Sequence, residues 1–141
     1  MQEMKQSGCY NLFIGLESGC GRTLRSMRKG YTPLEARAFF EKLRRAGLHF
    51  GVSMIVGYPG ETEEDFRQSL KFIVDHKELI PKVEQVNPFV YYEGIDVRRA
   101  DMIAPRVAMR RYRFFIDAIK QHRIKHTNAF LGNLLDKDVR V

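Results

Sequence analysis

The sequence predicts an α/β fold, and three observations carry that expectation. Short apolar runs begin near Asn11, Phe50 and Val83, the first two close on a glycine-bearing turn and the third on Pro88, and an amphipathic helical pattern separates each run from the next. This is the βαβ rhythm of a parallel sheet, whose crossovers are right-handed in nearly all cases. Three strands cannot close a barrel, so the expected architecture is a partial (β/α) barrel or an open parallel sheet of about three strands. Flanking helices and a C-terminal helix complete it.

Each element has its own local reason. Asn11-Leu12-Phe13-Ile14-Gly15-Leu16 is an apolar run closed by Glu17-Ser18-Gly19, which reads as a buried strand ending in a loop. A polar helical piece from Arg22 to Arg28 follows and stops before Gly30. Thr32-Pro33-Leu34-Glu35 is a helix start: Thr32 caps, Pro33 suits the first helical position, and Glu35 completes a capping box. Ala36, Phe39, Phe40 and Leu43 then share one stripe, and Gly47 ends the helix. Phe50 to Gly57 reads as a strand buried on both faces, closed by Tyr58-Pro59-Gly60. Thr62 with Asp65 opens the next helix, with Phe66, Leu70, Ile73 and Val74 on one stripe. Val83 to Tyr91 is the third strand, with Pro88 expected at its end because a central strand cannot lose a donor. Residues 93–104 read as a loop. From Pro105 to Ile124, Tyr112, Phe115, Ile116 and Ile119 fall on one helical stripe.

Composition excludes several classes. The chain has 141 residues, 44% hydrophobic and 11% aromatic, which supports one core and argues against disorder or fibrous repeats. No apolar run approaches the roughly 18 residues that span a bilayer. Met1-Gln2-Glu3-Met4-Lys5 lacks the apolar stretch of a secretion signal. Two cysteines, Cys9 and Cys20, exclude a disulfide framework and a four-cysteine zinc site, so a reducing cytoplasm is the expected compartment. Cys9, just ahead of a strand, is expected to face the core. The net charge of +7 is uneven: residues 1–91 carry 13 Lys and Arg against 11 Asp and Glu, and residues 92–141 carry 11 against 6. Arg98, Arg99, Arg106, Arg110, Arg111 and Arg113 form the basic cluster. It is read as the solvated face of a helix, since no recognised nucleic-acid motif accompanies it and nucleic acid is not an expected partner. His122 and His126 fall at i, i+4 on the expected helix without a third ligand nearby, so they read as an exposed face. Gly15-x-x-Ser18-Gly19 has the wrong spacing for a nucleophile elbow. Glu61, Glu63, Glu64 and Asp65 suit the positive end of a helix, with Glu61 a candidate to orient the preceding turn.

In parallel α/β architectures the ligand sits beyond the carboxyl ends of the strands. Those ends are Glu17-Ser18-Gly19, Gly57 to Thr62, and Asn87-Pro88-Phe89 with Tyr91-Tyr92-Glu93. Glycine lets backbone approach a ligand closely. Glu17 suits a ribose diol, the backbone from Met54 to Gly57 suits the edge of a flat purine, and Lys29 suits a ligand carboxylate. The candidate binding residues are Gly15, Glu17, Ser18, Lys29, Ile55, Gly57, Pro59 and Gly60. No catalytic or metal-ligating residue is expected in the chain.

The stretch Gly8-Cys9-Tyr10-Asn11-Leu12-Phe13-Ile14-Gly15-Leu16-Glu17-Ser18-Gly19 resembles one found in radical S-adenosylmethionine (SAM) enzymes. So do Leu24-x-x-Met27-x-Lys29-Gly30-Tyr31-Thr32, Ala46-Gly47-Leu48, and Met54-Ile55-Val56-Gly57-Tyr58-Pro59-Gly60-Glu61-Thr62-Glu63-Glu64-Asp65-Phe66. The nearest likeness is to the subgroup that often carries an N-terminal cobalamin-binding domain. The resemblance implies the C-terminal half of a (β/α) barrel for residues 1–92, with residues 93–141 as a basic helical extension packed on it. It implies S-adenosylmethionine as cofactor, with Glu17 at the ribose, Lys29 at the methionine carboxylate and Ile55 to Gly60 along the adenine. The family holds a 4Fe–4S cluster on three cysteines spaced by three and then two residues, and that loop is missing from this sequence. The cluster, and any cobalamin, are therefore expected only in a full-length parent, and this chain alone is not expected to catalyse the family's reaction. Its expected partners are the missing N-terminal half of the barrel, or a second copy pairing through open strand edges. A small-molecule substrate is expected, and no membrane. The alternative is a catalytically silent α/β module that binds an adenosyl ligand or oligomerises.

Overall fold

A computed structural model describes residues 1–127; the remainder of the expected C-terminal extension, 128–141, lies outside the described residues. Three parallel strands, β1 (Asn11–Glu17), β2 (His49–Val56) and β3 (Val83–Pro88), form one sheet in the order β1-β2-β3. A short α1 (Gln2–Gln6) precedes them. The helices α2 (Gly21–Ser26) and α3 (Pro33–Arg45) join β1 to β2, α4 (Glu63–Asp75) joins β2 to β3, and α5 (Pro105–Gln121) follows.

A strand order that follows the chain without reversal places every right-handed crossover on the same face. The core lies on that face. Leu16, Phe50, Val52, Met54, Val56 and Val86 of the strands meet Phe40 and Leu43 of α3, Phe66 and Ile73 of α4, and Phe115 and Ile119 of α5. Phe40 stacks on Phe50 with ring centres 5.0 Å apart. Strand alternation sends Gly15, Glu17, Ser53, Ile55 and Asn87 to the other face, which forms one wall of a cleft. A sheet wound in one sense, with one face for helices and the other for a cavity, is the geometry of a barrel segment; a doubly wound sheet would reverse its strand order. Among the described residues no helix is long and apolar enough to cross a membrane.

The local helix signals are realised. Thr32 Oγ1 accepts from the Glu35 N–H at 3.2 Å while Glu35 Oε2 accepts from the Thr32 N–H at 2.8 Å. Thr62 and Asp65 repeat the exchange at 3.2 and 2.7 Å. Gly47 follows α3 with φ of 69°, and Pro88 ends β3.

Several elements differ from the sequence reading. Pairing on β3 stops at Pro88, short of Tyr91, because β2 itself ends at Val56. Phe39 is 42% exposed: β1 is the sheet's outer strand, so no further layer covers that flank of α3. A groove of about 250 Å³ lies there between Ile14, Tyr31, Phe39 and Phe40. Cys9 is only partly buried for the same reason. The last helix ends at Gln121, so His122 caps it and His126 leaves it altogether. His126 instead bridges to the start of β3, where the Val83 N–H donates to the Lys125 carbonyl at 2.8 Å. Arg111 is 6% exposed and belongs to the interior, a correction to the solvated cluster. The short α1 and a 3₁₀ turn at Arg99–Asp101 had no strong sequence signal.

Candidate functional site

β1 and β2 pair in register from Asn11 with His49 to Gly15 with Ser53, and then slip so that Glu17 opposes Met54. The extra residue is a bulge, a device that re-aims side chains at strand ends. Glu17 adopts φ of 63°, and the Ser18 N–H donates to the Leu16 carbonyl at 2.7 Å, closing a three-residue turn. A left-handed backbone costs a side-chain-bearing residue about 1–2 kcal/mol. The Glu17 carboxylate folds back into space left by the missing side chain of Gly15, where a β-carbon would overlap its Oε1. It accepts long hydrogen bonds from Lys29 Nζ at 3.4 Å and Ser53 Oγ at 3.5 Å.

Lys29 reaches Glu17 because α2 ends sharply. Arg28 takes φ of 56°, and the Lys29 N–H donates back to the Leu24 carbonyl at 3.1 Å. The pair sits in a cleft of about 680 Å³ that also takes in Phe13, Ser53, Ile55, Tyr58 and Asn87. Asn87 Oδ1 is buried there without a hydrogen-bond partner among the described residues. Tyr58 meets Phe89 edge to face at 5.3 Å and donates its hydroxyl to the Ser26 carbonyl at 3.3 Å. An exposed ion pair between Arg28 and Asp96, at 2.7 Å, crosses the rim.

The turn after β2 is braced from several sides. Gly57 (φ 75°) and Gly60 (φ 76°) both occupy the left-handed region that favours glycine. The Gly57 N–H donates to Glu61 Oε2 at 2.8 Å, the Gly60 N–H donates to the Asp101 carbonyl at 2.8 Å, and Arg22 Nη2 donates to the Gly60 carbonyl at 2.7 Å. Arg111 of α5 donates through Nη1 to Glu61 Oε2 at 2.9 Å and to the Glu61 carbonyl at 3.1 Å. Burial raises the Glu61 carboxyl above its ordinary value, and the Gly57 N–H and the Arg111 guanidinium pull against that rise. Asp65 is held well below the usual carboxylate range, chiefly by its hydrogen bonds from Arg22, with Thr62 and the Cys20 thiol helping.

The structure brings Glu17, Lys29 and Ile55 together in one cleft. Gly57, Pro59 and Gly60 form the turn at the carboxyl end of the neighbouring strand, on the same rim as Glu17, and Tyr58 between them enters the cleft. Gly15 contributes the gap that Glu17 fills. Ser18 turns the other way: it is fully buried, its hydroxyl 2.7 Å from that of Ser69, and it ties the loop to α4. Met54 faces the core, so only its backbone borders the site. Sequence reasoning missed Ser53 and Arg111, and took Tyr58 only as part of the Ile55 to Gly60 segment. Ser53 shares strand parity with Ile55, and Arg111 falls on the stripe of Ala108, Phe115 and Ile119 at helical spacing, which were the available signals.

Among the described residues no group of three His, Cys, Asp or Glu side chains is placed to hold a metal ion. Cys9 precedes the amino end of β1 and Cys20 follows its carboxyl end, with the Cys20 thiol donating to Asp65 Oδ1 at 3.2 Å. That donor set does not fit a 4Fe–4S cluster.

Comparison with known proteins gives two results. The profile of the Radical SAM superfamily matches residues 1–73. A tRNA-2-methylthio-N(6)-dimethylallyladenosine synthase of Bordetella avium (strain 197N) is 44% identical over 66 residues, which is 45% of this chain and 14% of that protein. The protein of the same name from Neisseria meningitidis serogroup A is 43% identical over 67 residues, 46% of this chain and 15% of the relative. The chain thus matches only about a seventh of the length of these relatives.

Proposed function

The chain belongs to the Radical SAM superfamily, and from that membership we propose that it is the C-terminal half-barrel of an iron–sulfur oxidoreductase, contacting the ribose, carboxylate and adenine of S-adenosylmethionine. Full-length members of the family use that cofactor with an iron–sulfur cluster, and here the cluster belongs to the remainder of a parent enzyme. Residues 1–92 make up the half-barrel in this reading, and the following basic segment is its extension. The matches lend no support to a cobalamin-dependent parent, and the proposal leaves cobalamin out. A cytoplasmic setting accords with two unpaired cysteines.

The observation that carries the proposal is the strained Glu17, turned by a bulge over Gly15 to meet Lys29 in the cleft. Strain of this kind persists only where the surroundings over-determine it. The cofactor, where bound, would supply radical chemistry, with the reducing electron coming from the cluster of the parent enzyme. The chain's own residues do the holding. Glu17 accepts from the ribose hydroxyls, Lys29 parts from Glu17 to pair with the methionine carboxylate, and Ile55 offers an apolar surface to the purine. Calorimetric titration of the full chain with S-adenosylmethionine tests this. Saturable binding that weakens about tenfold or more in Glu17→Ala is the expected result, and an unaffected Glu17→Ala would remove the ribose assignment.

A second reading is a silent module that completes its sheet through β1. The exposed Phe13 on that outer strand, Tyr10 just ahead of it and the apolar groove beside Phe39 favour it. Light scattering of the purified chain would then report self-association, and a strictly monomeric species at all concentrations would reject it. For a parent enzyme's substrate, the names of the relatives suggest a tRNA nucleoside, which a filter-binding assay with tRNA across salt concentrations would test.

A further inference from the structure

The family match ends at residue 73, yet residues beyond it also hold the turn after β2. Ala108 packs its β-carbon where a side chain on Gly57 would stand, at 2.8 Å, and the Asp101 carbonyl takes the Gly60 N–H. Arg111 grips Glu61 through both its carbonyl and its carboxylate, and adds Glu63 Oε2 at 3.3 Å. The side chains of Arg111 and Glu61 are 7% and 0% exposed. Glu61 in turn accepts the Gly57 N–H. The result is a relay from α5 through Glu61 to the first residue of the turn.

Resting on the reading that this turn borders the adenosyl ligand, we propose that Arg111 is a positioning residue for that site, acting through Glu61 to fix the backbone at Gly57. The physical case is that a buried ion pair is a weak source of net stability but a strong constraint on geometry. Among the described residues Glu61 Oε1 is buried without a partner, so the carboxylate is held through its other oxygen, by Arg111 and the Gly57 N–H. The helix thereby sets where Gly57 lies relative to Glu17 on the adjacent strand.

Arg111→Met alone would strand a buried carboxylate and risks unfolding the chain. The informative variant is Arg111→Met with Glu61→Met, which removes both charges together and, as apolar replacement of a buried pair does, keeps the fold close to wild-type stability. A second variant, Arg111→Met with Glu61→Gln, keeps an acceptor for the Gly57 N–H. Two readouts are taken on the full chain: amide hydrogen exchange at Gly57, and calorimetric affinity for S-adenosylmethionine. The double-Met variant is expected to lose about tenfold or more in both, with secondary structure by circular dichroism unchanged, and the Glu61→Gln version is expected to recover part of each. Wild-type exchange and affinity in the double-Met variant would overturn the proposal. If the wild type protects Gly57 but binds no S-adenosylmethionine, the reading of the site falls and this assignment with it. If the wild type binds but Gly57 exchanges freely, the assignment alone falls.

Discussion

A β-carbon at Gly57 would meet two obstacles, whereas one at Gly60 would meet a single obstacle, and the contrast yields a quantitative test. Both residues have positive φ, 75° and 76°. Alanine in that region costs about 1–2 kcal/mol, offset by about 0.4–1 kcal/mol from a less flexible unfolded chain. At Gly60 nothing else among the described residues lies within contact distance, so Gly60→Ala should cost about 0–1.6 kcal/mol. At Gly57 the new carbon would lie 2.8 Å from the Ala108 Cβ and 3.3 Å from its Cα. Relieving that overlap requires α5 to shift, adding about 1–3 kcal/mol to the same backbone cost, for a total of about 1–5 kcal/mol. Urea unfolding followed by circular dichroism reads the difference. Adding Ala108→Gly to Gly57→Ala should recover part of the loss, because a favourable coupling outweighs the roughly 1 kcal/mol cost of glycine in a helix. Equal costs at the two glycines, or no coupling between positions 57 and 108, would refute the packing of α5 on this turn.

Two further predictions concern pH. Burial, with a contribution from the Glu17 charge, pushes the Tyr31 phenol from 10.0 up to about 12, while its hydroxyl donates to the Gly15 and Leu16 carbonyls at 3.0 Å. The unfolded chain therefore ionises first, so this contribution to stability is complete below pH 10 and is lost as pH rises toward 12. Tyr31→Phe should flatten that alkaline loss and cost about 1 kcal/mol at neutral pH, measured by urea midpoints across the range. Asp65 carries the opposite sign. Its carboxyl is depressed from 3.8 by Arg22 above all, so its contribution is present above that value and fades as pH falls through and below it. Asp65→Asn should lower stability at neutral pH and give a shallower acid limb; an unchanged acid limb would show that the Arg22 pairing does not form in solution.

The parts of the fold legible in the sequence are those set by local chemistry. The apolar runs became strands, and Thr32 with Glu35 and Thr62 with Asp65 became capping boxes, because each depends on neighbours within one helical turn. Phe39 lay on the right stripe but stayed exposed, since how much of a helix is covered depends on where the sheet ends. Arg111 and Ser18 were misjudged because their partners, Glu61 and Ser69, lie far away along the chain. At the candidate site, Glu17, Lys29 and Ile55 were identifiable from their places at strand ends and loops. The bulge that aims Glu17 was not, because it arises from a slip in pairing with β2 rather than from any property of β1 alone.

The order β1-β2-β3 has a consequence for how the molecule is made. β2 and β3 each leave the ribosome to find the preceding strand already synthesised, and each closure spans only the helices between two consecutive strands, which keeps the entropy of loop closure small. Within this sheet, pairing can therefore proceed from β1 to β2 to β3 as the chain emerges, with helix laid on the growing sheet between successive strands.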